Sequence, residues 1–199
     1  APEGRPFLAL GGLILVVLAA FAWKRGGGWY FPLALWIPVA IWLPVFFRDP
    51  LRNGPRDERL IIAPADGLVV GVGEVDEPDY FHGRVTRISI FMSIFDVHVN
   101  RHPVDGAVEY RDYRPGRFVN ASLDKASEGN ERMSLGIRGS HGRILVRQIA
   151  GLVARRIVTD PGIGAHVAQG ERLGMIRFGS RVDTFVPLGT MVRVRVGDR

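Results

Sequence analysis

The sequence predicts a mainly β domain preceded by an N-terminal helical membrane hairpin, and three observations carry that expectation. Two uncharged apolar runs take up most of the first 47 residues. Beyond them, short stretches in which apolar and polar residues alternate recur between Gly-, Pro- and Asp-containing turns. Outside the anchor, only Gln148 to Arg156 has the spacing of an amphipathic helix.

The anchor comes first. Phe7 to Trp23 is an apolar run of 17 residues, about 26 Å long as a helix. Lys24-Arg25-Gly26-Gly27-Gly28 breaks it, and Trp29 to Phe47 is a second run of 19 residues, about 28 Å as a helix. Both suit the hydrocarbon core of a bilayer. A secretory signal peptide is the rival reading of the first run, but the second follows too soon and no small-residue cleavage site stands out after Ala22. Pro32, Pro38 and Pro44 remove backbone donors from the second run. A hairpin dipping into one leaflet therefore stays open beside two full spans. In either arrangement both ends emerge on one side. That side carries Arg5, Arg48, Arg52, Arg56 and Arg59, against Lys24 and Arg25 in the loop. The more positive side is the cytoplasmic one, which places the domain on the cytoplasmic face of the cell (inner) membrane.

Residues 48–199 form the second domain, 152 residues (199 − 47), enough for a core of its own. Leu68-Val69-Val70-Gly71-Val72 reads as a buried strand, and Ile88, Ile90 and Met92 alternate with other residues. Val192, Val194 and Val196 alternate with Arg193 and Arg195, predicting a half-buried strand. Turn signals fall at Asp66-Gly67, Pro103 to Gly106, Pro115-Gly116, Gly139 to Gly142 and Asp160-Pro161-Gly162. Short strands at this spacing indicate a sandwich or barrel. Phe118 to Met133 is polar and long enough for a mobile flap or a solvated loop.

Composition excludes several chemistries. No cysteine means no disulfide, no thiolate catalysis and no Cys-ligated metal. No histidines combine with carboxylates at a zinc-binding spacing, so no metal is expected. Lys24 and Lys125 are the only lysines, which argues against pyridoxal phosphate and its Schiff-base lysine. The net charge of +6 is carried almost wholly by arginine. Following a membrane segment, it points to anionic membrane lipid and away from nucleic acid.

Three motifs carry the functional expectation. Phe178-Gly179-Ser180 interrupts an apolar run near the end of the chain, Ala63-Pro64-Ala65-Asp66-Gly67 follows the anchor, and Asp96-Val97-His98-Val99-Asn100-Arg101 lies between them. Each alone reads as a turn or a strand end. Together with the anchor, over roughly residues 45 to 190, they resemble the small membrane-anchored phosphatidylserine decarboxylases. Gly164 to Gly174 also has a rhythm similar to lipoyl and biotinyl carrier domains, implying a flattened barrel-sandwich-like β fold; the lysine that carrier function needs is missing.

The resemblance implies self-cleavage between Gly179 and Ser180. The Ser180 hydroxyl attacks the Gly179 carbonyl, exchanging the amide for an ester, and a base takes the hydroxyl proton. β-Elimination frees the Gly179 carboxylate. Tautomerisation and hydrolysis of the remaining dehydroalanine release ammonia and leave a pyruvoyl group, splitting the protein into its own β and α chains, 1–179 and 180–199. That ketone condenses with the substrate amine and accepts the electron pair as CO2 departs. The resemblance assigns Asp66 to histidine orientation, His98 to proton transfer, and Asn100 and Arg101 to the substrate's phosphate or carboxylate. Larger members resemble His-x-x-His-x-Pro, whereas this chain has Arg101 in the second histidine column and His102 one residue later. His98 is favoured for both steps; His82, His141 and His166 are read as incidental. The implied reaction converts phosphatidylserine to phosphatidylethanolamine, and homo-oligomerisation is compatible with it. Two alternatives stand beside it: a membrane-bound serine hydrolase, which lacks a Gly-x-Ser-x-Gly elbow, and a non-enzymatic membrane-anchored barrel-sandwich adaptor.

Overall fold

The computed structural model describes residues 1–116, 129–140, 142–151, 156–177 and 180–199. The chain divides into two compact units, Ala1–Pro50 and Leu51–Arg199.

The first unit is a hairpin of α1 (Arg5–Arg25) and α2 (Tyr30–Phe46). Gly26 and Gly27 turn the chain with positive φ (60° and 52°), which glycine adopts without a Cβ penalty. The helices approach closely at Gly11, where a Cβ would lie 2.5 Å from Leu43 Cδ1, and the Trp36 indole donates to the Gly11 carbonyl at 3.0 Å. Phe21 and Trp29 stack at 4.7 Å near the turn. Pro38 and Pro44 lie inside α2 without ending it. Pro2–Arg25 and Gly27–Phe46 are long and apolar enough to cross a membrane, which supports membrane association.

The second unit is mainly β, as expected, and its two sheets are open. One has seven strands in the order β1 (Leu68–Glu77), β2 (Gly83–Met92), β10 (Ser180–Val186), β6 (Gly142–Ala150), β5 (Arg132–Gly139), β4 (Gly106–Arg114) and β8 (His166–Val167). The other has three: β3 (Val99–Arg101), β9 (Arg172–Ile176) and β7 (Ile157–Thr159). All pairings are antiparallel. Alternation decides which side chains meet. Met92, Leu135, Ile137, Ile144, Val146, Val182 and Val186 face the three-stranded sheet and share a core with its Leu173 and Ile176. The other face of the large sheet is covered too. Tyr80, Val85, Leu145 and Phe185 cluster there, beside a buried ion pair in which Arg147 donates to Glu77 at 2.7 Å.

Two sequence expectations need correction. Residues 192–196 form no strand: the tail pairs with β1 only at Val69, which donates to the Asp198 carbonyl and accepts from Gly197 N, both at 2.9 Å. A register shift in β1 between Val69 and Gly71 interrupts its pairing just there. Gln148 to Ala150, read as the start of a helix, is the end of β6. Its residues are buried on both faces of the sheet, and residues 152–155 of that stretch lie outside the described residues. The proposed flap at Phe118 to Met133 lies mostly outside the described residues.

Candidate active site

Ser180 opens β10, which runs between β2 and β6 at the centre of the large sheet. Its register partners are Met92 and Ala150. The residue is fully buried, and its hydroxyl oxygen has no hydrogen-bond partner among the described residues. A buried hydroxyl without a partner costs roughly 1–3 kcal/mol, so its persistence calls for a reason. Gly179 lies outside the described residues.

His98 lies immediately before β3 and is fully buried. Its Nδ1 is 3.0 Å from the Asp96 carbonyl, which can only accept. Nδ1 therefore carries the proton in neutral imidazole, and Nε2 presents a lone pair. The Asp96 carboxylate closes the preceding turn by accepting from Ser93 N at 2.8 Å, and Arg199 pairs with it at 3.2 Å. The His98 carbonyl accepts from Ile176 N at 3.3 Å. Ile176 is four residues before Ser180, so that chain segment spans at most about 14 Å.

Asn100 is fully buried rather than presented to solvent: it accepts from Gln148 Nε2 at 2.8 Å and donates to the Met92 sulfur at 3.6 Å. Met92 is the register partner of Ser180, so β3 lies over the start of β10. Arg101 is half-buried, with one guanidinium nitrogen donating to the Gly170 carbonyl at 3.1 Å. Its backbone N–H donates to the Pro64 carbonyl at 2.8 Å, and Ile62 N donates to Pro103 at 3.0 Å. These two bonds draw the Asp66 segment alongside β3. Gly67 follows against β2, where a Cβ would meet the Phe91 carbonyl at 2.3 Å. The Asp66 carboxylate forms an ion pair with Arg52 and is 40% exposed. It lines a cleft of about 800 Å³ whose floor includes Ile88, Ile90, Thr184 and Val186, on the same face of the sheet as Ser180.

His102 is buried with no partner at Nδ1 among the described residues, and burial pushes its pKa down to about 4. It is neutral at physiological pH and a weak base. Among the described residues, no group of three or more His, Asp or Glu side chains is arranged to hold a metal. Four residues escaped sequence reasoning: Gln148, Thr159, and Arg181 with Asp183, which form a fully buried ion pair (2.9 and 3.1 Å); Asp96 stood in the His98 motif without a role. The pair lies on the face of β10 opposite Ser180. Its spacing of two residues was a visible signal; the residues meeting Gln148 were not.

A family model for phosphatidylserine decarboxylase matches residues 40–199. The chain belongs to the phosphatidylserine decarboxylase family. A phosphatidylserine decarboxylase proenzyme from Symbiobacterium thermophilum is 48% identical over 202 residues, spanning all of this chain and 90% of that protein. One from Nitrosomonas europaea is 46% identical over 200 residues, with 100% and 89% covered. One from Beijerinckia indica is 48% identical over 199 residues, with 98% and 83% covered. In this member of the phosphatidylserine decarboxylase family, hydrogen bonds and strand register gather the segments bearing Asp66, His98 and Ser180 at one end of the β2–β10 pair.

Proposed function

We propose that this chain decarboxylates phosphatidylserine to phosphatidylethanolamine after cutting itself between Gly179 and Ser180. The buried, unpartnered Ser180 hydroxyl at the head of the central strand carries the reading. A group destined for conversion has no need of a permanent partner. Its site also suits a small carbonyl group, since Ser180 is fully buried between its register partners Met92 and Ala150 and so is shielded from water. His98, with Nδ1 committed to Asp96, offers Nε2 to receive the hydroxyl proton as Ser180 Oγ bonds to the Gly179 carbonyl carbon and the peptide C–N bond breaks. Asp66 lies at the cleft from which a lipid headgroup would arrive, and Arg101, half-buried on β3, would offer its guanidinium to the headgroup's phosphate or carboxylate. A pyruvoyl group formed from Ser180 would supply an electron sink for the pair released with CO2. No metal or pyridoxal phosphate enters this scheme. The apolar hairpin would hold the domain against the cytoplasmic face of the membrane, where anionic lipid is the substrate.

The test is the mass of the denatured protein with turnover of phosphatidylserine vesicles. Two fragments are expected, 1–179 and 180–199, the smaller lacking an N-terminal amine. Full-length chain that still evolves CO2 would overturn the proposal. Ser180→Ala should remain folded and uncut, and fragments from it would exclude the mechanism. His98→Ala should lose lipid turnover by about 100-fold or more, the range of general acid–base catalysis; an undiminished rate would remove His98 from it.

A further inference from the structure

The buried amide of Gln148 lies where the two sheets meet. Its Nε2 donates to Asn100 Oδ1 at 2.8 Å, and its Oε1 accepts from Thr159 Oγ1 at 2.7 Å. Asn100 completes the chain by donating to Met92. Gln148 and Met92 belong to the large sheet, Asn100 and Thr159 to the small one. Asn100 and Thr159 are both register partners of Gly174 on β9. The middle residue of that row contributes no side chain, and one glutamine spans from the facing sheet to the residues on either side of it.

The positions of this bridge in the sequence matter. Asn100 is two residues beyond His98, and Gln148 is the register partner of Val182, two residues beyond Ser180. A two-residue step along a strand returns to the same face about 7 Å away. The bridge is therefore set at the same offset from both groups. The surrounding core is aliphatic and non-directional, tolerating a small slide of one sheet over the other. A fully satisfied buried hydrogen-bond chain does not tolerate it, because any slide strands buried polar atoms.

We infer that Gln148, with Asn100 and Thr159, is a positioning device that locks the sheet bearing His98 against the strand bearing Ser180. This rests on the self-cleavage reading above, and it gives Asn100 an internal role in place of substrate contact. Gln148 touches no reacting atom. It sets the distance over which the imidazole takes the Ser180 proton.

The experiment follows the splitting of full-length precursor, made by cell-free translation into detergent micelles, between about pH 5.5 and 9. The wild-type rate should level off once His98 is deprotonated. Gln148→Leu should fold, split about 100-fold more slowly, and keep rising by about tenfold per pH unit as hydroxide replaces the displaced imidazole. Thr159→Val removes one hydroxyl from a half-buried site; it should split several-fold more slowly with the same loss of plateau, while Thr159→Ser keeps the wild-type profile. The Thr159 pair decides the matter should Gln148→Leu fail to fold. Wild-type rates and profiles in Gln148→Leu or Thr159→Val would overturn the inference. A slower rate that levels off at the wild-type pH would also do so, since it would mean support of the fold alone. If wild-type precursor does not split at 179–180, the self-cleavage reading fails; if it splits and the variants match it, only the bridge fails.

Discussion

His102 supplies a pH-dependence that can be worked out in advance. Burial lowers its pKa from 6.5 to about 4, opposed only in part by Glu171, Asp160 and the Arg172 backbone. A histidine depressed in the folded state favours folding while it is neutral, so its contribution is whole above pH 6.5 and is lost as pH falls toward 4. The unfolded chain takes up the proton first. The total at stake is about 3 kcal/mol, and lowering the pH from 7.5 to 5 should remove about 2 kcal/mol of it. In a unit of this size that corresponds to a melting temperature lower by roughly 4–8 °C. Thermal unfolding of the full-length protein in detergent, at a series of pH values, would measure this beside His102→Phe. The variant places a ring in the same space without a titrating nitrogen. It should lose about 1 kcal/mol at pH 7.5 through the missing bond to the Arg172 backbone, yet fall less steeply on acidification, so that the two curves cross near about pH 6 and the variant is the more stable at pH 5. Parallel curves would refute the reasoning. The same depression makes His102 a weak base at neutral pH, and with His98 as the base His102→Phe should be processed at the wild-type rate.

Two further outcomes follow from packing. Glu77 accepts from Arg147 and from the backbone N–H groups of Tyr80 and Phe81 at 2.7, 2.8 and 3.0 Å; Glu77→Ala leaves a buried guanidinium without its carboxylate and should cost about 3–5 kcal/mol, read as a melting temperature roughly 6–20 °C lower. At Gly174 a Cβ would sit 2.0 Å from the Val158 carbonyl oxygen, so Gly174→Ala must push β7 away from β9, costing about 1–3 kcal/mol and slowing precursor splitting together with the loss of stability.

Much of the fold was legible because it rests on local period. Alternation at Ile88, Ile90 and Met92 is the inward face of β2, and the two apolar runs are the helices α1 and α2. The same rule failed at Val192, Val194 and Val196, since alternation says that a stretch suits a strand but not that a partner edge is available. Asp66, His98 and Ser180 were found through motif likeness; their own side-chain chemistry would have left each as a turn or strand-end residue.

What stayed hidden depends on which sheet faces which. Gln148 sits in Ile144-Leu145-Val146-Arg147-Gln148-Ile149-Ala150, where a polar residue beside arginine suggests solvent. Both are in fact buried, Gln148 toward β3 and β7 and Arg147 toward Glu77. Arg181, one residue past the reactive serine, also turns inward to Asp183. Two of the arginines are therefore spent inside the protein, but each takes a carboxylate with it, so the excess of +6 stays with the remaining residues. On β10 the consequence is an anchored strand: a buried ion pair grips its back face, and β2 and β6 hold its two edges. That arrangement keeps Ser180 in place even if the chain is severed just before it, because the strand's hydrogen bonds to its neighbours do not depend on the linkage that breaks.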